Sequence, residues 1–405
     1  MKVFVNAYLE NNLGDDLFFE ILKNRYNGNK FYVMSSSIKK EDNVVVYKNK
    51  FINKIIRRFE LKKLITNKCD LIVSIGGSMY MEQKNDTNRK FFLGKKSYYI
   101  LGSNFGPYHS ETYFNNAHKF FEKAEDVCFR DKYSYNLFAD IPVVRYAPDI
   151  IFSLDVEKLL YNPTDKAKGI TTDKTTDKAT DNISVNNMEE SNYDNAEIKD
   201  NRDKNKSQAK RAVFSIISCK NKLDEKYEEK YRQAIIDMTK RFIDSGYKIT
   251  YMAFCKNEND ELAIEEILNK LNENANQNSA KENNLRDFIE TYYYRGNIKE
   301  ALEVLNNSDI IVGTRFHATI LGLLLNKTVI PIIYSDKTKH VLEDLNFKGK
   351  TVDIRELENY NIEELFEKEN MDYKLNVEKI RKEAELQFKE LDKVLKNRLI
   401  NIKSN

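Results

Sequence analysis

Short apolar runs alternate along this chain with longer segments whose apolar residues recur every three or four positions. The runs in the first part of the chain are KVFV (2–5), FYVM (31–34), VVVY (44–47), DLIVSIGGS (70–78), YYILGSNFGP (98–107), DVCFRD (126–131) and VVRYAPDI (143–150). Those in the later part are RAVFSIIS (211–218), YKITYMAF (247–254), DFIETYYY (287–294), SDIIVGTR (308–315) and KTVIPIIY (327–334). Runs of this kind are typical of buried strands, and strands that alternate with helices indicate a parallel sheet. The sequence therefore predicts an α/β fold with two doubly wound halves in tandem.

A polar segment separates these two halves. Residues 161–210 contain a near-repeat of Thr, Asp and Lys, followed by Asn, Glu, Asp and Lys with few large apolar residues. Such a segment buries too little surface to offset the entropy of ordering it, so we predict a disordered linker or insertion. The predicted domains are then 1–160 and 211–350. Residues 351–405 are predicted to form a charged helical tail with one apolar stripe.

Composition narrows the class of protein. The chain has 405 residues, of which 41% are hydrophobic, enough for two cores. Charged residues make up 32% with a net charge of only +3, which gives no reason to expect a nucleic-acid-binding protein. The four cysteines form no CxxC pair, and the first residues are strand-like rather than a signal sequence. Because no apolar run approaches the roughly 18 residues of a membrane span, we expect a soluble cytoplasmic protein.

One basic segment leaves two interpretations open. Residues 48–63, KNKFINKIIRRFELKK, carry seven Lys or Arg and one Glu beside large apolar side chains. A helix with this composition is compatible with peripheral docking on the anionic inner face of the membrane. It is equally compatible with a solvated basic face.

An arginine and a histidine stand at the start of a helix that is otherwise apolar. Arg315 and His317 follow a predicted strand, with Gly313 for a tight turn and Thr314 as the predicted N-cap. A helix N-terminus has partial positive charge and free N–H groups, so two such side chains there predict an anionic ligand. The local field would lower the pKa of His317 in the empty site, and a bound dianion would raise it. The alternatives are that Arg315 pairs with an acidic neighbour and that His317 is a hydrogen-bonded core residue.

Further candidates follow the predicted strands, at the edge where a doubly wound sheet binds ligands. They are Gly14, Asp15, Gly76, Gly77, Ser78, Asn104, Arg130 and Lys337. The structural alternatives are a tight turn for the paired glycines, an Asp cap for the first segment, an ion pair of Arg130 with Asp131, and a solvated Lys337. The sequence contains no GxGxxG, P-loop or GxSxG motif and no metal-binding constellation, so neither a metal nor a cofactor is expected.

Several of these segments together resemble the polysaccharide pyruvyl transferase family. In chain order they are NNLGDDLF (11–18), IGGSMY (75–80), LGSNFGP (101–107), FRDKYSYNLF (129–138), YAPDIIFSL (146–154), VGTRFHATILGLLLNKTVIPIIY (312–334) and YSDKTKHVLEDLNF (334–347). The most specific feature is Arg315-x-His317 with its apolar helix and the following Lys337. The chain departs from the family in having GGS where a triple glycine is commoner, and in its long linker.

The resemblance implies a fold similar to that of the GT-B glycosyltransferases, with a cleft between two Rossmann-like halves. It also implies phosphoenolpyruvate as donor, a sugar diol of a glycan or lipid-linked precursor as acceptor, and a pyruvate ketal as product, formed without a metal. His317 would protonate the methylene carbon of the donor, and Arg315 would clamp it with the helix N-terminus. Lys337 and Arg130 would neutralise the leaving phosphate. The acceptor would be held by loops of the first half, at 11–16, 76–80 and 102–106.

Two other functions stay open on the sequence. A nucleotide-sugar glycosyltransferase of similar fold would turn over a sugar nucleotide and ignore phosphoenolpyruvate. A non-catalytic relative that binds a glycan or anion would keep the cleft without the chemistry. The presence together of Arg315, His317 and Lys337 favours an enzyme.

Overall fold

The structure is a computed structural model of the chain. It describes residues 1–48, 55–83, 91, 94–160, 210–220, 225–277 and 285–396. The predicted linker, 161–210, lies outside the described residues except for Lys210. Its disorder, and the domain boundaries drawn around it, therefore stay predictions.

The first part of the chain contains a parallel sheet in which the described strands have the order β3-β2-β1-β4-β5-β6-β7. They are β1 (Lys2–Asn6), β2 (Lys30–Met34), β3 (Val44–Tyr47), β4 (Leu71–Ile75), β5 (Tyr98–Ser103), β6 (Asp126–Phe129) and β7 (Val144–Tyr146). The pairing is parallel throughout; Val3 of β1, for example, lies beside Leu71 of β4. The strand order changes direction between β1 and β4, which places a crevice at the carboxyl ends of these two strands.

The second sheet repeats this design, with the order β10-β9-β8-β11-β12-β13 among its described strands. They are β8 (Lys210–Ile216), β9 (Tyr247–Ala253), β10 (Ile289–Tyr293), β11 (Ile310–Gly313), β12 (Thr328–Ile333) and β13 (Val352–Asp353). Its order changes direction between β8 and β11, so a second crevice lies at their carboxyl ends. Each predicted apolar run contains a strand. The short strand β13 was not predicted, because it falls at the start of the segment expected to be helical.

Helices cover the two sheets. They are α1 (Leu13–Arg25), α2 (Ile55–Asn67), α3 (Glu111–Phe121), α4 (Lys132–Leu137), α5 (Val156–Leu160), α6 (Glu225–Asp244), α7 (Asp260–Gln277), α8 (Ile298–Asn306), α9 (Phe316–Leu324), α10 (Asp336–Asp344), α11 (Ile362–Leu365), α12 (Lys368–Asp372), α13 (Glu378–Ala384) and α14 (Lys389–Leu395). Strands β4, β5, β6, β11 and β12 are buried along their whole length, which explains why they are almost continuously apolar.

The basic segment predicted to be helical overlaps α2, and its contact with a membrane stays a prediction. Among the residues that the structure describes, none of the helices has both the length and the apolar character needed to cross a membrane.

The helical tail returns to the first sheet, where Gln387 is fully buried. Its amide Nε2 donates to the carbonyl oxygens of Ala147 (2.7 Å) and Pro148 (3.1 Å), which follow β7. Its Oε1 accepts from the backbone N–H of Gly102 in β5 at 2.9 Å. One side chain of the tail therefore joins two strands that lead to the carboxyl edge of the first sheet.

We expect Gln387→Leu to lower the free energy of unfolding by about 2–4 kcal/mol, because each buried polar group left without a partner costs about 1–3 kcal/mol. Urea denaturation would measure the change. The matched control is Gln233→Leu, since Gln233 is exposed and bonds to its neighbour Asp237; its effect should stay within about 0.5 kcal/mol. Equal losses in the two variants would contradict the role of the Gln387 hydrogen bonds.

Candidate active site

Polar side chains from the carboxyl edges of both sheets meet in one cleft. Arg130, directly after β6, has Nη1 3.4 Å from Nε2 of His317, in the first turn of α9. Lys337, in the first turn of α10, donates from Nζ to Oγ of Ser78, three residues after β4, at 3.1 Å. The structure thus brings together residues that the sequence predicted on two separate halves.

Arg130 is held rigidly and is only 1% exposed. Its Nη1 pairs with Oδ2 of Asp149 at 3.0 Å, and its Nη2 donates to Oδ1 of Asn104 at 2.8 Å. Its Cζ lies 3.9 Å from the ring centre of Phe316, which adds a cation–π contact. Asp131 instead caps α4, so the alternative ion pair between Arg130 and Asp131 is wrong. Asn104, predicted to bind the acceptor, is buried and orients this arginine.

Three glycines of the first half shape the cleft, and one of them lets the second half approach closely. A Cβ atom at Gly14 would overlap the imidazole ring of His317, and one at Gly77 would lie 2.5 Å from Nη1 of Arg130. Gly76 has φ +146°, a backbone conformation that residues other than glycine rarely adopt. These glycines therefore make room for two cleft side chains and for the turn after β4.

The side chain of Arg315 contacts acidic residues rather than open solvent, and Arg315 is only 8% exposed. Its Nη1 bonds to Oε2 of Glu258 at 2.6 Å, its Nε bonds to Oδ2 of Asp260 at 2.9 Å, and its Nη2 also contacts Asp260. The sequence left two interpretations of Arg315 open, an anionic ligand or an acidic neighbour. The structure shows Arg315 paired with acidic neighbours. Neither carboxylate was predicted, although both follow β9 at the same sheet edge, and that placement was the available signal.

The turn before α9 differs from the prediction. Arg315, not Thr314, occupies the N-cap position, so the predicted cap is wrong. The Thr314 side chain is buried and accepts a hydrogen bond from Tyr231. A Cβ at Gly313 would lie 2.5 Å from Oγ1 of Thr319, so this glycine allows α9 to pack against β11. Thr314 and Gly313 thus serve packing beneath the helix.

His317 is surrounded by positive charge. Burial lowers its pKa well below the ordinary value, and the charges of Arg130, Lys337 and Arg315 lower it further. The direction agrees with the sequence prediction. A guanidinium only donates, so Nε2 facing Arg130 accepts and the proton of the neutral ring belongs on Nδ1. The ring also packs edge-on against Phe18, with centres 5.1 Å apart.

Two adjacent carboxyl groups lie in the first turn of α1. The helix is capped by Asn12, whose Oδ1 accepts from Gly14 N at 3.2 Å, so the alternative of an Asp cap is wrong, and the substrate-binding role of Gly14 and Asp15 stays a prediction. Burial, the largest cause, raises the pKa of Asp15 and of Asp16 to about 7. Oδ2 of Asp16 accepts from the hydroxyl of Tyr294 in the second half at 2.8 Å. The sequence did not predict this hydrogen bond between the halves, since nothing in it pairs Tyr294 with α1.

A metal site and a reactive cysteine are the other kinds of chemistry to consider in the described part of the chain. No group of three or more His, Cys, Asp and Glu there could hold a metal ion. All four cysteines are buried and free of disulfides. Burial raises the pKa of Cys128 to about 12, which makes it a poor nucleophile at neutral pH.

We expect Gly14→Ala to destabilise the protein by about 1–3 kcal/mol, the usual cost of overpacking a filled site. Alanine is about 1 kcal/mol better than glycine inside a helix, so helix propensity alone predicts the opposite sign. Urea denaturation would measure the change, and the double variant Gly14→Ala/His317→Ala supplies the control because it removes the ring. A loss of the same size with and without His317 would contradict the overlap as its cause.

Comparison with known proteins identifies a family that matches both halves of the chain. The sequence signature of a family described as polysaccharide pyruvyl transferase matches residues 12–336. No curated protein matches the sequence.

Solved structures with the same overall fold have little sequence identity to this chain. The UDP-GlcNAc 2-epimerase of Neisseria meningitidis, bound to UDP-GlcNAc, has a TM-score of 0.58 at 11% identity over 97% of this chain and 100% of its own. The corresponding epimerase of Methanocaldococcus jannaschii, in complex with UDP-GlcNAc and UDP, has a TM-score of 0.54 at 8% identity. The match covers 95% of this chain and 99% of the epimerase chain. HepE of Anabaena, in complex with UDP and glucose, has a TM-score of 0.50 at 11% identity. The match covers 100% of this chain and 99% of the HepE chain.

These similarities establish a GT-B-like fold of two Rossmann-like halves with a helical tail. They establish the fold alone, because the identities are too low to carry substrates across. The family signature covers both halves and includes Arg130, Arg315 and His317 as well as the first residue of α10. The chain therefore belongs to the polysaccharide pyruvyl transferase family.

Proposed function

We propose that this protein transfers the pyruvyl group of phosphoenolpyruvate to two hydroxyls of a sugar in a cell-surface polysaccharide precursor, forming a ketal and releasing phosphate. Membership of the family supports transfer to a polysaccharide. The donor and the ketal chemistry rest on the charges of the cleft.

The observation that carries the proposal is the positive charge around His317. Arg130 and Arg315 are already paired with carboxylates. Among the described residues, Lys337 has a neutral partner, the hydroxyl of Ser78, so its charge is the one most available to a ligand. Phosphoenolpyruvate carries a carboxylate and a phosphate on one carbon, and a small anion of this kind suits a compact cationic site.

Donor binding would switch the protonation state of His317. In the empty site burial and, after it, the surrounding cations hold the pKa of His317 low, and the ring is neutral. A bound trianion offsets those cations and raises the pKa of the ring, so His317 gains a proton when the donor arrives. That proton passes to the methylene carbon C3, and C2 becomes open to attack by a sugar hydroxyl.

The other cleft residues would stabilise the charge that moves. Lys337 binds the phosphate as it leaves, and Arg130 contributes charge from its fixed position. Arg315 acts on His317 from within its ion pairs; direct contact with the donor requires Glu258 to release Nη1. The glycine loop at 76–80 would hold the sugar from the first half; residues 102–106, which are buried, would support it from beneath.

We expect phosphoenolpyruvate to bind the wild-type protein and Lys337→Gln to weaken that binding. Removing a charged hydrogen-bond partner costs about 1.5–3 kcal/mol, which is about 10–150-fold in Kd. Isothermal titration calorimetry would measure it, and Lys339→Gln is the matched control because Lys339 is exposed on the same helix. Heat with a sugar nucleotide and none with phosphoenolpyruvate would instead identify a glycosyltransferase.

Binding and chemistry should separate in His317→Gln. Glutamine keeps a polar side chain of similar size but cannot act as a proton donor of this strength, so the variant should bind phosphoenolpyruvate within about tenfold of wild type. Its phosphate release should fall by about 10²–10⁴-fold, the usual contribution of general acid catalysis. Phosphate release at the wild-type rate would remove His317 from the role of acid.

A further inference from the structure

We propose that the Asp15 carboxylate is a second catalytic group of the cleft, the general base that takes the proton from the first attacking sugar hydroxyl. The inference deepens the proposed function and rests on it. Asp15 lies in the first half, next to Gly14, whereas His317 lies in the second half.

The position of Asp15 follows from its helix and from the loop beside it. It is the third residue of α1, one position after Gly14, whose missing side chain leaves the space that the His317 ring fills. Its Oδ1 lies 3.3 Å from the point that a Cβ on Gly76 would occupy. The carboxylate thus lies beside the glycine loop after β4, and the residue remains partly exposed.

The carboxylate of Asp15 is unpaired, unlike its neighbours. Asp149 pairs with Arg130, Asp260 with Arg315, and Asp16 accepts from a tyrosine hydroxyl. Within the described residues, no hydrogen bond or ion pair to the Asp15 side chain is present. Acidic groups that serve structure normally have donors, so a partly exposed carboxylate without one, at the edge where such sheets bind ligands, is available to a substrate hydroxyl.

The charged groups that face Asp15 come from both halves. Asp16 of the same helix and Glu258 across the cleft disfavour its ionisation, whereas Arg130 and Lys337 favour it. Burial is the largest influence, and the resulting pKa is about 7. A general base is most effective when its pKa lies near the working pH. At this pKa a substantial fraction of Asp15 is ionised at neutral pH and can accept a proton.

The proton movements balance over one turnover. His317 gives its proton to C3, and Asp15 takes the proton of the first hydroxyl as that oxygen bonds to C2. The bond from C2 to the phosphate oxygen then breaks, and Asp15 returns its proton to the departing phosphate. The second hydroxyl closes the ketal on C2 and its proton restores His317. One phosphoenolpyruvate and one diol give one ketal and one hydrogen phosphate, with no oxidant or reductant.

The test is the pH profile of kcat/KM for phosphate release from phosphoenolpyruvate. The acceptors are a panel of methyl hexopyranosides together with lipid-linked glycans extracted from the host cells. Because kcat/KM reports the free enzyme, its acid limb should include the ionisation of Asp15. Asp15→Asn should lower kcat/KM at pH 7 by about 10²–10⁴-fold and reduce the slope of the acid limb by one.

Asp16→Asn is the matched control, because Asp16 is the neighbouring carboxylate of the same helix turn and is bonded to Tyr294. Replacing Asp16 removes a negative charge that raises the pKa of Asp15, so the acid limb should remain and move to lower pH. A purely structural role of Asp15 would change the rate and leave the slope unaltered.

Three results would overturn the assignment. An unchanged acid limb in Asp15→Asn would remove Asp15 as the base, and loss of the alkaline limb instead would make it an acid. Absence of phosphate release by the wild type with every acceptor would refute the proposed function, and the base assignment with it. Because that last result appears in the wild type and the first two only in the variant, the two failures are distinguishable.

Discussion

The cleft depends on two positions where no side chain fits. The imidazole of His317 occupies the space above Gly14, and the guanidinium of Arg130 occupies the space above Gly77. Both glycines belong to the first half, whereas His317 belongs to the second. Close approach of the halves is therefore a packing requirement, and neither half holds the complete set of cleft residues by itself.

Charge is the second constraint, because this close approach removes several ionised groups from water. Arg130 and Asp149 are almost completely buried as a pair, and Arg315 is buried against Asp260. Removing one partner of such a pair leaves an uncompensated charge, which is strongly destabilising. These pairs are consequently fixed features that set the local field. Burial and the surrounding cations lower the pKa of His317, whereas burial raises that of Asp15, and these are the two groups to which we assign the proton transfers.

The sequence predicted the elements well because each one is encoded locally. Continuous apolar runs marked the buried strands, and residues such as Arg130 and Lys337 could be placed at strand ends from the chain alone. Long-range partners were beyond such reasoning. The bond of Arg315 to Asp260 joins residues 55 positions apart, and the pattern could show only that both lie at one sheet edge. The N-cap was misplaced by one residue because Thr314 has a good capping side chain but is buried against Tyr231.

Two hydrogen bonds, one at the start of α1 and one from the helical tail, hold the elements that carry the cleft residues. At the front, the backbone N–H of Leu13 donates to the carbonyl of Phe254 at 3.2 Å, which fixes where α1 begins relative to the second half. At the back, Gln387 of the tail also donates to the carbonyl of Phe129 at 3.4 Å, directly before Arg130. Since Gly14 follows Leu13, the first bond sets the height of α1 against His317, and the second sets the strand end that carries the opposing guanidinium. The geometry of the cleft thus depends on hydrogen bonds to backbone carbonyls that lie outside the cleft itself.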